Sequence, residues 1–298
     1  MRILVLGASG QVGFELVRVL APIGDVLAAA REGSNVRVDL ADTESLAATL
    51  DASRADVVVN AAAYTAVDRA EDEPELADRI NHRAVAEIGA WAKRNSKRVV
   101  HYSTDYVFDG SSKRPYREGD PTAPLGVYGR SKFDGEESLR TSGARHLIVR
   151  TAWVYAARGH NFLRTMLRLA GEREELRVVA DQTGAPTPAR LIADATASML
   201  QQWLADGENA SRDGTYHVVS GSYCSWFDFA EAIVAGAAHR GLIARQPRVV
   251  PIATADYPTR ARRPAYSVLD TSKAANAFGL QLPDWRAGLE SVFHELAA

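Results

Sequence analysis

Among the ten tyrosines of the chain, only Tyr128 has a lysine four residues further on. A helix is expected over 127–140, and on a helix that spacing brings Tyr128 and Lys132 to one face. A free phenol, with a pKa near ~10, is a poor proton donor at neutral pH, but a neighbouring ammonium and a cationic ring favour the phenolate. Tyr128 is therefore expected to protonate the alkoxide formed when hydride reaches a carbonyl. Lys132 would lower the phenol's pKa and hold a ribose beside it. Thr104, in the run Ser103-Thr104-Asp105, closes a strand expected over 98–103. It can donate a hydrogen bond to the carbonyl oxygen where negative charge develops. His101 precedes that strand end and is expected to point into the fold rather than to act as a base.

Hydride chemistry needs a dinucleotide, and the N-terminus offers a place for one. Gly7-Ala8-Ser9-Gly10-Gln11-Val12-Gly13 follows an apolar strand (2–6) and opens a helix (11–20). In that setting Gly7 permits a tight turn, Gly10 lets backbone approach a pyrophosphate, Gly13 allows helix and strand to pack closely, and the helix N-terminus presents N–H groups. Asp39 and the run Asn60-Ala61-Ala62-Ala63 end later strands on the same edge. They line the cofactor on one reading, Asp39 accepting from the adenine amino group, and on another they are a helix cap and core packing. After the second strand, where an acidic residue would select the ribose 2′-hydroxyl of NADH, the chain has Arg31, which favours the 2′-phosphate of NADPH. Glu32 beside it leaves some use of NADH open.

The elements that must position these residues alternate. Apolar runs at 2–6, 25–30, 36–39, 56–60, 98–103 and 147–151 are separated by helical patterns at 11–20, 43–50, 74–95 and 127–140, which calls for a doubly wound parallel sheet of Rossmann type. Residues 1–152 form the dinucleotide-binding domain on this reading, with a helix near 189–205 returning to it. A smaller C-terminal substrate-binding lobe takes most of 153–298, including a strand at 216–220; the polar stretch 207–214 is expected as an exposed loop. With 46% hydrophobic and 24% charged residues, a net charge of −2 and pI ≈ 6.4, nothing draws the chain to nucleic acid or to an anionic membrane. No run has the length of a membrane span, so a cytoplasmic protein with a small partner is expected. Cys224 is alone and the histidines are widely spaced, which excludes an intrachain disulfide and speaks against a metal site.

These motifs, together with Ser-Thr-Asp-Tyr-Val-Phe-Asp-Gly at 103–110 and Arg-Thr-Ala-Trp-Val-Tyr at 150–155, resemble those of the extended short-chain dehydrogenase/reductases. More narrowly, the chain resembles the dTDP-4-dehydrorhamnose reductase family, through the runs at 60–68, 123–129, 181–187 and 262–270. The resemblance implies cofactor contacts at Gly10, Gln11, Val12, Asp39, Leu40, Ala62, Ala63, Tyr128 and Lys132. It implies substrate contacts at Val67, Thr104, Asp105, Tyr128 and Trp153, and reduction of the C4 ketone of a dTDP-linked 4-keto-6-deoxy sugar to dTDP-L-rhamnose. Arg262 and Arg263 can pair with the diphosphate or form a solvated basic loop. Some members of that family join subunits through Mg²⁺ held by glutamates. Glu15 fits that pattern, but Arg190 stands where a second glutamate belongs, so the expectation is no metal and a monomer or metal-free homodimer. Two rivals share the fold: a nucleotide-sugar epimerase or dehydratase that retains its NAD, and a non-catalytic regulatory subunit of methionine adenosyltransferase type.

Overall fold

In the computed structural model, which describes residues 1–207, 209 and 211–297, the N-terminal half runs β1 (Arg2–Leu6), α1 (Gln11–Leu20), β2 (Asp25–Ala30), β3 (Val36–Arg37), α2 (Thr43–Ser53), β4 (Val57–Asn60), α3 (Val67–Ala70), α4 (Pro74–Asp78), α5 (Ala84–Arg94), β5 (Arg98–Thr104), α6 (Val127–Thr141) and β6 (Arg145–Thr151). There follow β7 (Val154–Tyr155), α7 (Phe162–Glu172), β8 (Glu175–Val179), β9 (Thr183–Gly184), β10 (Thr187–Pro188), α8 (Ala189–Ala205), β11 (Gly214–His217), β12 (Cys224–Ser225), α9 (Trp226–His239), β13 (Arg248–Ile252), α10 (Ser272–Phe278) and α11 (Trp285–Ala297). Glu208 and Ala210, in the expected 207–214 loop, and Ala298 lie outside the described residues.

Successive side chains of a strand point to opposite faces, so a sheet covered on both sides needs strands that are apolar throughout. β1 is such a strand. Ile3 and Val5 join one core with Leu16, Leu20, Ile192 and Trp203, while Leu4 and Leu6 join the other with Leu46, Leu50, Ile88 and Trp91. The sheet has seven parallel strands in the order β11-β6-β5-β4-β1-β2-β3. Its direction of growth reverses between β1 and β4, and the carboxyl ends of those strands open the crevice where such sheets bind ligands. A separate core of Tyr155, Leu163, Phe229, Ile233, Trp285 and Phe293 packs α7, α9 and α11 with the two-stranded β8–β13 sheet.

Three local differences from the sequence reading bear on the site. The expected 36–39 strand ends at Arg37, because Asp39 turns the chain: its Oδ1 accepts the Ala41 N–H at 2.9 Å. The expected helix over 74–95 is split by a π turn at Arg79–Arg83, where the Asn81 carbonyl presses so closely on α6 that a β-carbon at Gly135 would lie 2.1 Å from it. Finally β11, a stretch that chain position groups with the second lobe, lies beside β6 in the main sheet, since α8 crosses back to pack against α1.

Candidate active site

At the end of β1 the three glycines are sterically enforced. Gly7 has φ +78° and a β-carbon there would lie 2.6 Å from the Ala62 nitrogen, while one on Gly13 would lie 2.0 Å from the Gly7 carbonyl. Gly10, by contrast, leaves the mouth of α1 open: a β-carbon there meets only the Gly7 carbonyl, at 3.2 Å. No side chain caps α1 and its first turn has no acidic residue, so its N–H groups and the positive end of its dipole face the crevice. This cradle fits a dinucleotide pyrophosphate. Val12 is half-buried against the α1 core, and the Gln11 side chain accepts from Asn161, the cap of α7, at 2.8 Å, tying the glycine turn to the second lobe.

Around that cradle the other cofactor candidates divide. Ala62 and Ala63 are half-buried beside Gly7, with the Ala62 N–H donated to Asn60 Oδ1 at 3.2 Å. Asp39 is half-buried and its carboxylate turns the chain at Ala41, while the cap of α2 is Asp42, so the helix-cap reading of Asp39 does not hold. Leu40 is buried in the core. Arg31 is exposed, in a loop whose Gly33 lies near Ser9 of the glycine turn.

β5 carries the other half of the site. Asp105 follows its last residue and is 1% exposed. The Thr104 hydroxyl donates to Asp105 Oδ1 at 3.0 Å and accepts the Tyr106 N–H at 3.2 Å, and the Tyr106 ring packs against Tyr128. Burial pushes the Asp105 carboxyl up to about 6 against the hydrogen bonds from Ser267 and Thr104. Among the described residues its Oδ2 has no hydrogen-bond partner, nor have the buried hydroxyls of Ser103 and Thr151 nearby. Such buried orphans at a strand end suit a polar ligand.

Tyr128 and Lys132 do share one face of α6, but their electrostatics differ from expectation. Burial pushes the Tyr128 phenol up to about 12, the hydrogen bond with Thr104 opposing it, and Lys132 is not among the groups that shift it. The lysine instead donates to the Tyr102 carbonyl at 2.6 Å, and burial brings it down to about 8 against the pull of Glu136. In the protein alone the phenol is therefore firmly protonated, the form a proton donor requires.

The substrate candidates come from separate parts of the chain. Val67 begins α3, and Trp153, at φ +48°, lies between Gly184 and Trp226, its ring stacked on Trp226 with centroids 3.5 Å apart. A non-glycine residue held at positive φ is a costly conformation that clusters at functional sites. Arg263 donates to Asp68 at 2.8 Å, whereas Arg262 is exposed.

Several supporting residues escaped the sequence reading. Tyr106 packs edge-on against Tyr128, with ring centroids 5.6 Å apart. Asn81, in the π turn, grips Ser131 of α6 at 3.1 Å and both backbone groups of Tyr64. The Glu71 carboxylate accepts the Val127 N–H at 2.9 Å, satisfying the helix end next to Tyr128. Beneath Lys132, fully buried Glu136 takes two hydrogen bonds from Arg150, at 2.9 and 2.6 Å, and another from Arg140. Burial works to raise the Glu136 carboxyl, but the two guanidinium groups outweigh it. Only Glu136 had a periodic signal, one turn beyond Lys132; the rest depend on long-range contacts.

Comparison with known proteins agrees with this geometry. The chain matches, over residues 1–298, the family described as RmlD substrate binding domain. It is 50% identical over 291 residues to dTDP-4-dehydrorhamnose reductase of Burkholderia thailandensis, with 96% of each chain covered. To dTDP-4-dehydrorhamnose reductase of Escherichia coli K12 it is 46% identical over 296 residues, covering 99% of this chain and 98% of that one. In structure it is similar to dTDP-4-dehydrorhamnose reductase of Bacillus anthracis in complex with NADP, with a TM-score of 0.86 at 34% identity and 99% of each chain covered.

Proposed function

Because the chain belongs to the dTDP-4-dehydrorhamnose reductase family, we propose that it reduces the C4 ketone of dTDP-4-dehydro-6-deoxy-L-mannose to dTDP-L-rhamnose with NADPH, and that Tyr128 is the proton donor. The bound nicotinamide supplies the hydride to C4. Thr104 hydrogen-bonds the ketone oxygen and stabilises the charge developing there, and Tyr128 delivers the proton that completes the hydroxyl. Lys132 is proposed to hold the nicotinamide ribose on the face of α6 that it shares with Tyr128. The glycine cradle takes the pyrophosphate, and Arg31 favours the 2′-phosphate, with some use of NADH. Trp153, Val67, Asp105 and the two arginines at 262 and 263 are the proposed substrate contacts.

The observation that carries this reading is the placing of Thr104 at the end of β5 and of Tyr128 on α6, linked through Tyr106, at the carboxyl edge that also carries a glycine cradle with an uncapped helix. An intact proton-donor set argues against a regulatory subunit, and 50% identity to a reductase argues against an epimerase or dehydratase. The test is consumption of NADPH with the 4-keto sugar nucleotide and identification of the product by NMR. Equimolar dTDP-L-rhamnose is expected; an epimerised ketone with no NADPH consumed would contradict the reading.

The oligomeric state belongs to the same proposal. Glu15 is 4% exposed and its Oε2 is held by Arg18 at 3.1 Å and Arg190 at 3.3 Å, Arg190 also reaching Glu295 at 2.8 Å. A carboxylate so occupied by cations supports a monomer or metal-free dimer. EDTA should leave the mass in solution unchanged, and a dimer lost on chelation would contradict this.

A further inference from the structure

We propose that His101 is a positioning residue for the reaction: locked by Asn60 with its proton on Nε2, it aims an N–H at Lys132 and holds that amine ready to gain a proton when the dinucleotide binds. The inference rests on the reading that Lys132 meets the cofactor.

The lock begins in β4. Backbone N–H of Ala62 reaches Asn60 Oδ1 at 3.2 Å, which fixes that atom as the acceptor and turns Nδ2 toward His101 Nδ1, also at 3.2 Å. Nδ2 can only donate, so Nδ1 must accept and the imidazole proton sits on Nε2. His101 is fully buried in β5, and burial holds it well below the usual histidine range, so it stays neutral. Its Nε2 lies 3.5 Å from Lys132 Nζ.

An ammonium on Lys132 would thus face an N–H, and among the described residues its one other hydrogen-bond partner is the Tyr102 carbonyl. The neutral amine satisfies both neighbours, accepting from His101 and donating to Tyr102. The charged groups around Lys132 are few. Glu136, on its own helix, favours the ammonium, but two arginines already engage that carboxylate, and Asn60 on β4 is uncharged. The ribose hydroxyls of a dinucleotide would bring the acceptors an ammonium lacks, so binding raises the midpoint of Lys132 and, at pH above about 8, draws a proton onto it.

The test uses the chain without cofactor. Its lysines are Lys93, Lys97, Lys113, Lys132 and Lys273, so ¹³Cε-labelled lysine gives a readable spectrum, with the Lys132 signal identified by its loss in Lys132→Met. The expected midpoint for Lys132 lies well below the ordinary lysine range. His101→Phe, which removes the opposing N–H, should raise it by about half a pH unit or more. Asn60→Asp lets the carboxylate accept from Nδ1 and reverses the tautomer, so the midpoint should rise further while ¹⁵N shifts show the His101 proton moved to Nδ1. This second variant also serves if His101→Phe does not fold. An ordinary midpoint in the wild type, a wild-type proton on Nδ1, or variant midpoints equal to the wild type would each overturn the proposal. Because no turnover is read, these outcomes are separate from failure of the reductase reading.

Discussion

Where β1 and β4 end, the chain places Gly7, Gly10, Gly13 and a run of alanines, so that half of the crevice works through shape and backbone N–H groups. Where β5 and β6 end, it buries Asp105, Lys132, Glu136 and Arg150, with His101 behind them and His217 on the neighbouring strand. The cofactor half can be built from small residues because a pyrophosphate needs close approach and oriented amides. The half proposed to move a proton keeps titratable groups away from water, which shifts them: Lys132 down to about 8, Asp105 up to about 6, His217 down to about 3. Substitutions in the first half should act sterically and independently of pH. Those in the second should act through charge.

The largest effect is expected at Glu136. Glu136→Gln leaves Arg150, 1% exposed, without its counter-charge, and should cost about 3–5 kcal/mol in urea unfolding. A cost under about 1 kcal/mol would show that the chemical half does not rest on that ion pair. In the cofactor half, Gly13→Ala puts a methyl against the Gly7 carbonyl and should cost up to about 3 kcal/mol. NADPH affinity should fall with it, by the same factor at pH 6 and pH 8, when followed by fluorescence titration. A strongly pH-dependent loss would blur the contrast between the halves.

Asp105 tests the charge argument with its sign. Its folded pKa, about 6, lies above the unfolded value near 3.9, so the folded state binds the proton more tightly. The associated stability is full below pH ~4 and is lost as pH rises through ~6. Asp105→Asn should therefore match the wild type near pH 4 and exceed it by about 2–3 kcal/mol at pH 8 in denaturant unfolding, even if the substrate KM rises. A variant less stable than the wild type at pH 8 would place the carboxylate in a favourable environment instead. The smallest effect belongs to exposed Arg31. Arg31→Ala should lower kcat/KM for NADPH about tenfold, roughly 1.4 kcal/mol, and leave NADH nearly unchanged. Equal losses with both cofactors would remove it from the site.

How far the sequence could be read follows the same division. Most of the apolar strands, the glycine turn and the Tyr128–Lys132 spacing are local patterns that lie where periodicity puts them, while the 36–39 run ends at Arg37 and the 216–220 run is shifted to Gly214–His217. The place of β11 beside β6 was not legible, because only the path of α8 over α1 brings it there. The π turn at Arg79–Arg83 was hidden by a helical pattern that continues through it, its cause being the approach of Asn81 to Gly135 in α6. The upward shift of the Tyr128 phenol in the protein alone was not legible for a related reason. Spacing shows that a lysine is near, but it does not show that the amine is turned to the Tyr102 carbonyl or that burial dominates the phenol.

The central claim is that Tyr128 supplies the proton to the reduced ketone. The most direct measurement is single-turnover oxidation of NADPH with dTDP-4-dehydro-6-deoxy-L-mannose by the wild type and Tyr128→Phe, with NADPH affinity measured alongside. The account predicts nearly unchanged affinity and a chemical step slowed about 10²-fold or more. A Tyr128→Phe enzyme whose chemical step keeps more than half the wild-type rate would contradict it.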